Sequence, residues 1–131
     1  MFEKGTVIND KYRIEKRLGK GNMAETYLAV NNEDEGPVVI KVVRLKGLEE
    51  WKVLELFERE ANILEKISHP YIPKYIDYFV QENEEDVVYF LVYEYIEGDS
   101  LSSIIDKGVM FSYDRVKNIL LKILEILDYL H

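Results

Sequence analysis

Gly19-Lys20-Gly21-Asn22-Met23-Ala24, then Val38-Val39-Ile40-Lys41-Val42-Val43, then Glu60 inside an apolar helical pattern: this stretch decides how the chain is read. The two glycines let backbone N–H groups approach an anion without interference from a Cβ. Lys41 lies in a run that is apolar on both strand faces, where an ammonium is costly unless an anion meets it. Glu60 shares a helical face with Leu56, Phe57, Ile63, Leu64 and Ile67 at three- and four-residue spacing. A carboxylate in that stripe needs a cation or several donors, and Lys41 is the nearest strand cation with the complementary problem. Taken alone, Glu60 also fits a side chain that reaches water from the edge of a broad stripe.

Outward from this stretch, Tyr12 to Leu18 alternates apolar and charged residues, the period-two pattern of a half-buried strand, and Thr26 to Val30 continues as a second strand. The connection is strand, glycine turn, strand. A dinucleotide fingerprint would open a helix and a Walker loop would end in Gly-Lys-Ser/Thr, and neither is present. Asn31 to Pro37 is a polar turn and Val38 to Leu45 a third strand. The helical pattern that follows Gly47 ends at His69-Pro70. Tyr71 to Val80 reads as a turn and a fourth strand. Gln81 to Asp86, four of its six residues acidic, is a hairpin loop before a fifth strand, Val87 to Tyr95. Asp99 or Ser100 caps a short helix stopped by Gly108, and Ser112 caps a longer one with Asp114 in its first turn. That last helix carries Val116, Ile119, Leu120, Ile123, Leu124, Ile126, Leu127 and Leu130, an apolar surface wider than one stripe.

Composition narrows the classes. The chain has 131 residues, 47% of them hydrophobic, enough for one compact unit with a core. Against 25 acidic residues stand 17 basic ones, a net charge of -8, which disfavours nucleic acid as a partner. There is no cysteine, so no disulfide framework and no thiolate metal site. The two histidines, His69 and His131, are far apart and no metal site is expected. No secretory signal is visible at Met1 to Gly5, and Lys117, Lys122, Glu125 and Asp128 interrupt the longest apolar region. The expectation is a cytoplasmic protein without a membrane span.

The order of these features resembles the protein kinase family, specifically the bacterial relatives of eukaryotic Ser/Thr kinases. Gly19 to Ala29 is similar to the glycine-rich loop GxGGMGEVYLA, and Val38-Val39-Ile40-Lys41 stands where the family has Val-Ala-Ile-Lys. Glu60 precedes His69-Pro70 at the separation of the glutamate on the family's αC helix, and Leu91 to Gly98 looks like a fifth strand and hinge. The resemblance implies an α+β fold. A five-stranded antiparallel sheet with the αC helix would make up an ATP-binding N-lobe at residues 1–97. The helices αD and αE would open a second lobe at 98–131.

By the same resemblance Lys41 would bind the α- and β-phosphates of ATP, oriented by an ion pair with Glu60, under a loop formed by Gly19, Gly21 and Ala24. Leu18, Thr26 and Val39 would line the roof of the adenine site, and Tyr93 would be the gatekeeper. The backbones of Glu94 and Ile96 would bond the adenine edge, and Ser100 beside Asp99 would meet the ribose. Ala24 stands in place of a third glycine, Val39 in place of a small alanine, and Thr26 in place of valine.

The chain reaches Tyr129-Leu130-His131 without His-Arg-Asp, Asp-Phe-Gly or Ala-Pro-Glu, the motifs that hold the base and the Mg²⁺ in the family. One expectation is therefore an ATP-binding lobe of a transferase acting on protein hydroxyls, inactive as these 131 residues alone. The other is a short kinase-like protein without enzymatic activity. It would bind a partner, either a kinase C-lobe or a second copy, through the helix from Ser112 to His131.

Overall fold

The computed structural model describes residues 2–21, 24–46 and 51–130. The roles expected at Asn22, Met23, Gly47 and His131 fall outside them. The chain forms two compact units, Met1–Ser68 with Pro73–Tyr95 and His69–Ile72 with Ile96–His131, and each is described by itself.

The first unit is built on one antiparallel sheet of six strands: β1 (Val7–Ile8), β2 (Tyr12–Lys20), β3 (Ala24–Asn31), β4 (Pro37–Leu45), β5 (Tyr75–Glu82) and β6 (Val87–Glu94), in the order β1-β2-β3-β4-β6-β5. The pattern predicts five strands; the sixth is β1. It is only two residues long, too short to show a period. Its turn is legible only in retrospect: Asn9 and Asp10 both have positive φ, 55° and 54°, and Lys11 N–H donates to Ile8 O at 3.1 Å. Asn and Asp tolerate that left-handed backbone better than other side chains do, and two such residues in succession make the hairpin turn that matches strand twist.

β4 is central and buried on both faces, as its near-continuous Val-Val-Ile-Lys-Val-Val run requires. Val38, Ile40 and Val42 enter one core with Ile8, Tyr12, Ile14, Tyr27, Ala29, Val88, Phe90 and Val92. Val43 and Leu45 belong to the other core, which the helix α1 (Trp51–Lys66) covers with Leu54, Phe57 and Ala61. The buried stripe of α1 is thus rotated from the predicted one. Leu56 and Ile63 are exposed, and Ile67 lies beyond the helix end. Ala61, outside the predicted stripe, is buried with Leu54 and Phe57 against the sheet.

The sheet curls. Register shifts in β2 between Ile14 and Lys16 and between Arg17 and Gly19 bend that strand. As a result Tyr12 of β2 stacks on Phe79 of β5, ring centroids 6.2 Å apart, although three strands separate them in the sheet. The Tyr12 hydroxyl donates to Asp77 Oδ2 at 3.0 Å and closes the curl.

In the second unit, Ser100 caps α2 (Leu101–Asp106), its hydroxyl accepting from Ser103 N–H at 3.1 Å, and Gly108 with φ 80° ends it. Ser112 caps α3 (Tyr113–Leu130) by accepting from Arg115 N–H at 3.2 Å. The His69 ring packs against Tyr71 and Tyr129, tilted to them by 58° and 54° with centroids at 5.5 and 5.0 Å, so the His-Pro turn is seated on α3.

Candidate nucleotide-binding site

Strand alternation sends Val39, Lys41 and Val43 to the face of the sheet that α1 covers. Lys41 is flanked in register by Thr26 on β3 and Leu91 on β6, and Val39 by Leu28 and Tyr93. On α1, Glu60 sits one residue before buried Ala61, at the edge of the packed stripe, and this brings its carboxylate over β4. Lys41 Nζ donates to Glu60 Oε2 at 2.7 Å. The pair that the sequence argued for is formed, with side chains 28% and 42% exposed. Glu60 therefore does both things the sequence allowed: it reaches partly into water and it meets the strand lysine.

Beside the pair opens a largely apolar cavity of about 260 Å³ lined by Ala24, Lys41, Val43, Val53, Leu56, Phe57 and Glu60. Two larger depressions, each of about 340 Å³, lie between α1 and β5 and beside the β5–β6 loop, and neither includes Lys41 or the glycine turn. An ammonium whose direction is fixed by a carboxylate, facing an apolar cavity, can meet an anionic ligand group with its remaining N–H donors.

The glycine turn joins β2 to β3. Gly21 N–H donates to Ala24 O at 2.8 Å, and Gly19 is the register partner of Thr26. A Cβ at Gly19 would meet nothing within 4 Å, and one at Gly21 would make an ordinary 3.7 Å contact with Ala24 O. Neither glycine has a positive φ. The fold's own backbone thus does not demand glycine at either place. What the missing side chains leave is access to the main chain, as an anionic ligand would need. Leu18, 43% exposed, sits at the irregularity just before the turn.

At the other end of the site, Tyr93 lies on β6 across from Val39. Burial pushes its hydroxyl above the usual tyrosine range, and the Glu60 charge adds to that. Glu94 N–H donates to Lys74 O at 2.9 Å, and its carboxylate accepts from Lys74 N–H at 3.2 Å, so the end of β6 is held in place. Ile96 and Ser100 belong to the second unit, where Ile96 is exposed and the Ser100 hydroxyl caps α2.

The structure thus groups Gly19, Thr26, Val39, Lys41, Glu60 and Tyr93 on contiguous parts of one face. Val43, Val53, Leu56 and Phe57 also wall the cavity, and the sequence reading assigned none of them to the site. Apolar residues give no signal that separates a cavity wall from core. Among the described residues no three of the His, Cys, Asp and Glu side chains come together as a metal site would need, and no helix is long and apolar enough to cross a membrane.

Comparison with known families matches residues 12–131 to the protein kinase domain. The chain belongs to the protein kinase family. It is 35% identical over 130 residues to serine/threonine-protein kinase B of Synechocystis sp., covering 95% of this chain and 22% of that protein. To the probable serine/threonine-protein kinase YbdM of Bacillus subtilis it is 28% identical over 131 residues, covering 99% of this chain and 50% of the relative. Serine/threonine-protein kinase PrkC of the same bacterium is 30% identical over 127 residues, 97% of this chain and 19% of PrkC. The chain thus spans from about a fifth to half the length of these relatives.

Proposed function

We propose that residues 1–97 are the ATP-binding lobe of a serine/threonine protein kinase and that residues 98–131 are the first helices of its second lobe. The observation that carries this reading is the 2.7 Å ion pair between Lys41 and Glu60, set on the same sheet face as a glycine turn whose backbone is open to a ligand. ATP, when bound, supplies the γ-phosphoryl group for transfer to a protein hydroxyl. Lys41 holds the α- and β-phosphates as a point charge, and Glu60 fixes the direction of its ammonium. Gly19, Gly21 and Ala24 offer main chain to the phosphates. Leu18, Thr26 and Val39 line the roof over the base with Tyr93 as gatekeeper, and the backbone of Glu94 bonds its edge. Val39 makes the slot tighter than alanine would.

These 131 residues contain neither His-Arg-Asp nor Asp-Phe-Gly, so no residue here is assigned to Mg²⁺ or to the substrate hydroxyl. The expected behaviour of the chain alone is nucleotide binding without phosphoryl transfer. Calorimetric titration of ATP with Mg²⁺ against the wild type and Lys41→Ala tests the site: the substitution should weaken binding about tenfold or more. Equal affinities would remove Lys41 from the phosphate site.

A second reading is favoured by α3, on which Leu120, Leu121, Leu124 and Leu127 are all exposed. An apolar surface of that extent marks an interface. In this reading the chain is a kinase-like, non-enzymatic protein that binds a kinase C-lobe or a second copy of itself. An in-frame His-Arg-Asp codon run shortly after residue 131 would favour the first reading, and a stop codon there the second.

A further inference from the structure

The sheet face turned away from Lys41 carries a chain of contacts that nucleotide binding through Lys41 does not use. Tyr27, wholly buried on β3, stands two residues after Glu25, and Glu25 is the register partner of Lys20 across the glycine turn. The Tyr27 hydroxyl donates to the Glu25 carboxylate and accepts from Phe2 N–H, the latter at 3.1 Å. The Phe2 ring stands edge-on to Tyr27 with centroids 5.5 Å apart and lies beside Phe90 at 6.1 Å. Over the same ring lies the Arg44 guanidinium, 5.1 Å from its centre and itself 3.5 Å from Asp86.

The same arm is also bonded to the other strand of the turn. Gly5 N–H donates to Ile14 O and Ile14 N–H to Thr6 O, each at 2.8 Å, and β1 pairs Val7 with Arg13 and Ile8 with Tyr12. Residues 2–8 are therefore fastened to both strands that lead to the glycine turn, to β2 at its far end from Tyr12 to Ile14 and to β3 at Tyr27. They hold β2 through the backbone and β3 through one tyrosine hydroxyl. Burial raises the Tyr27 pKa, so its hydroxyl remains a donor throughout the neutral range.

We propose that residues 2–8 brace the glycine turn from behind, with Tyr27 as the positioning residue that transmits the brace to β3. Two glycines give a turn more backbone freedom than other residues would, and ordering such a segment on a ligand costs conformational entropy. Holding both flanking strands in register lowers that cost before the ligand arrives, which appears as affinity. The consequence for affinity rests on the nucleotide reading above; the consequence for the turn does not.

The test uses the full chain with Tyr27→Phe, Phe2→Ala, Glu25→Ala and Glu25→Gln. Amide hydrogen exchange is measured without nucleotide, and ATP affinity is measured with Mg²⁺. Tyr27→Phe keeps the ring, and Glu25→Gln keeps an acceptor for the hydroxyl. Tyr27→Phe and Glu25→Ala should speed exchange at Ala24 to Thr26 by about fivefold, leave Val42 and Leu91 unchanged, and weaken ATP about three- to tenfold. Phe2→Ala should do the same, and Glu25→Gln should stay within about twofold of wild type. Unchanged exchange at the turn, or exchange that rises equally at Val42 and Leu91, overturns the brace. A loosened turn with unaltered ATP affinity overturns the positioning role of Tyr27. If the wild type binds no ATP, the nucleotide reading fails, and the exchange rates alone decide the brace.

Discussion

Lys41 and Glu60 form a contact whose worth lies in orientation. Both side chains are partly exposed, and such pairs contribute about 0–1 kcal/mol to stability. The Lys41→Ala variant should therefore unfold within about 1 kcal/mol of wild type in urea while losing nucleotide affinity. A large loss of stability would mean that the lysine stem is a packing element first. Tyr78 presents the opposite case. Its hydroxyl is buried with no hydrogen-bond partner among the described groups, and its pKa is pushed up to about 12, by burial first and by the Glu58 charge next. Below pH 10 the hydroxyl is neutral in both folded and unfolded chains, so it adds no pH dependence. From the ordinary value of 10 upward the unfolded chain loses this proton while the folded chain keeps it, and stability falls as pH rises toward 12. Tyr78→Phe should be neutral to about 1 kcal/mol stabilising at pH 7, and should lose less stability between pH 10 and 12, by denaturant titration at each pH. A clear destabilisation at pH 7 would show that the hydroxyl has a partner after all.

At the scale of elements, α1 determines where Glu60 stands. Leu54, Phe57 and Ala61 anchor the helix, and Glu60 follows as a passenger. Phe57→Ala should cost about 3–5 kcal/mol and should weaken nucleotide binding as well, because Phe57 also walls the cavity beside the ion pair. Leu56, 62% exposed on the same helix, serves as the stability control: with both variants unfolded in urea, Leu56→Ala should stay within about 0.5 kcal/mol of wild type. The rotation of the real stripe from the predicted one has a simple cause. Periodicity counts Leu56 and Ile63 as core because of their chemistry, whereas burial is decided by which residues the sheet can reach, and the curl presents Val43, Leu45 and Leu91 to Leu54, Phe57 and Ala61.

At the scale of the whole molecule, stability is unevenly distributed. The first unit has two cores on one central strand, while α3 in the second unit has no buried residue. Analytical ultracentrifugation from micromolar to millimolar chain should show self-association through that helix, and Leu120→Glu with Leu124→Glu should return the chain to monomer. A wild type that stays monomeric throughout would contradict an uncovered apolar surface. The curl itself brings together strands far apart in order, as in the contacts of Tyr12 on β2 with Asp77 and Phe79 on β5.

Much of this was present in the sequence. The strand, turn and helix order, the glycine turn and the pairing of Lys41 with Glu60 follow from local rules. A charge in an apolar run must find a counter-charge, and Lys41 is the nearest strand cation that shares the difficulty of Glu60. Tertiary structure alone decided the rest. The two-residue β1 exists because Val7 and Ile8 find Arg13 and Tyr12 of β2 to pair with. The inner face of α1 was selected by the curl of the sheet, and Tyr27 acquired its place between Phe2 and Glu25 because the strands bring those residues together. Local pattern records which residues prefer burial, but the partner each one meets is set by a sheet whose curvature no window of sequence contains.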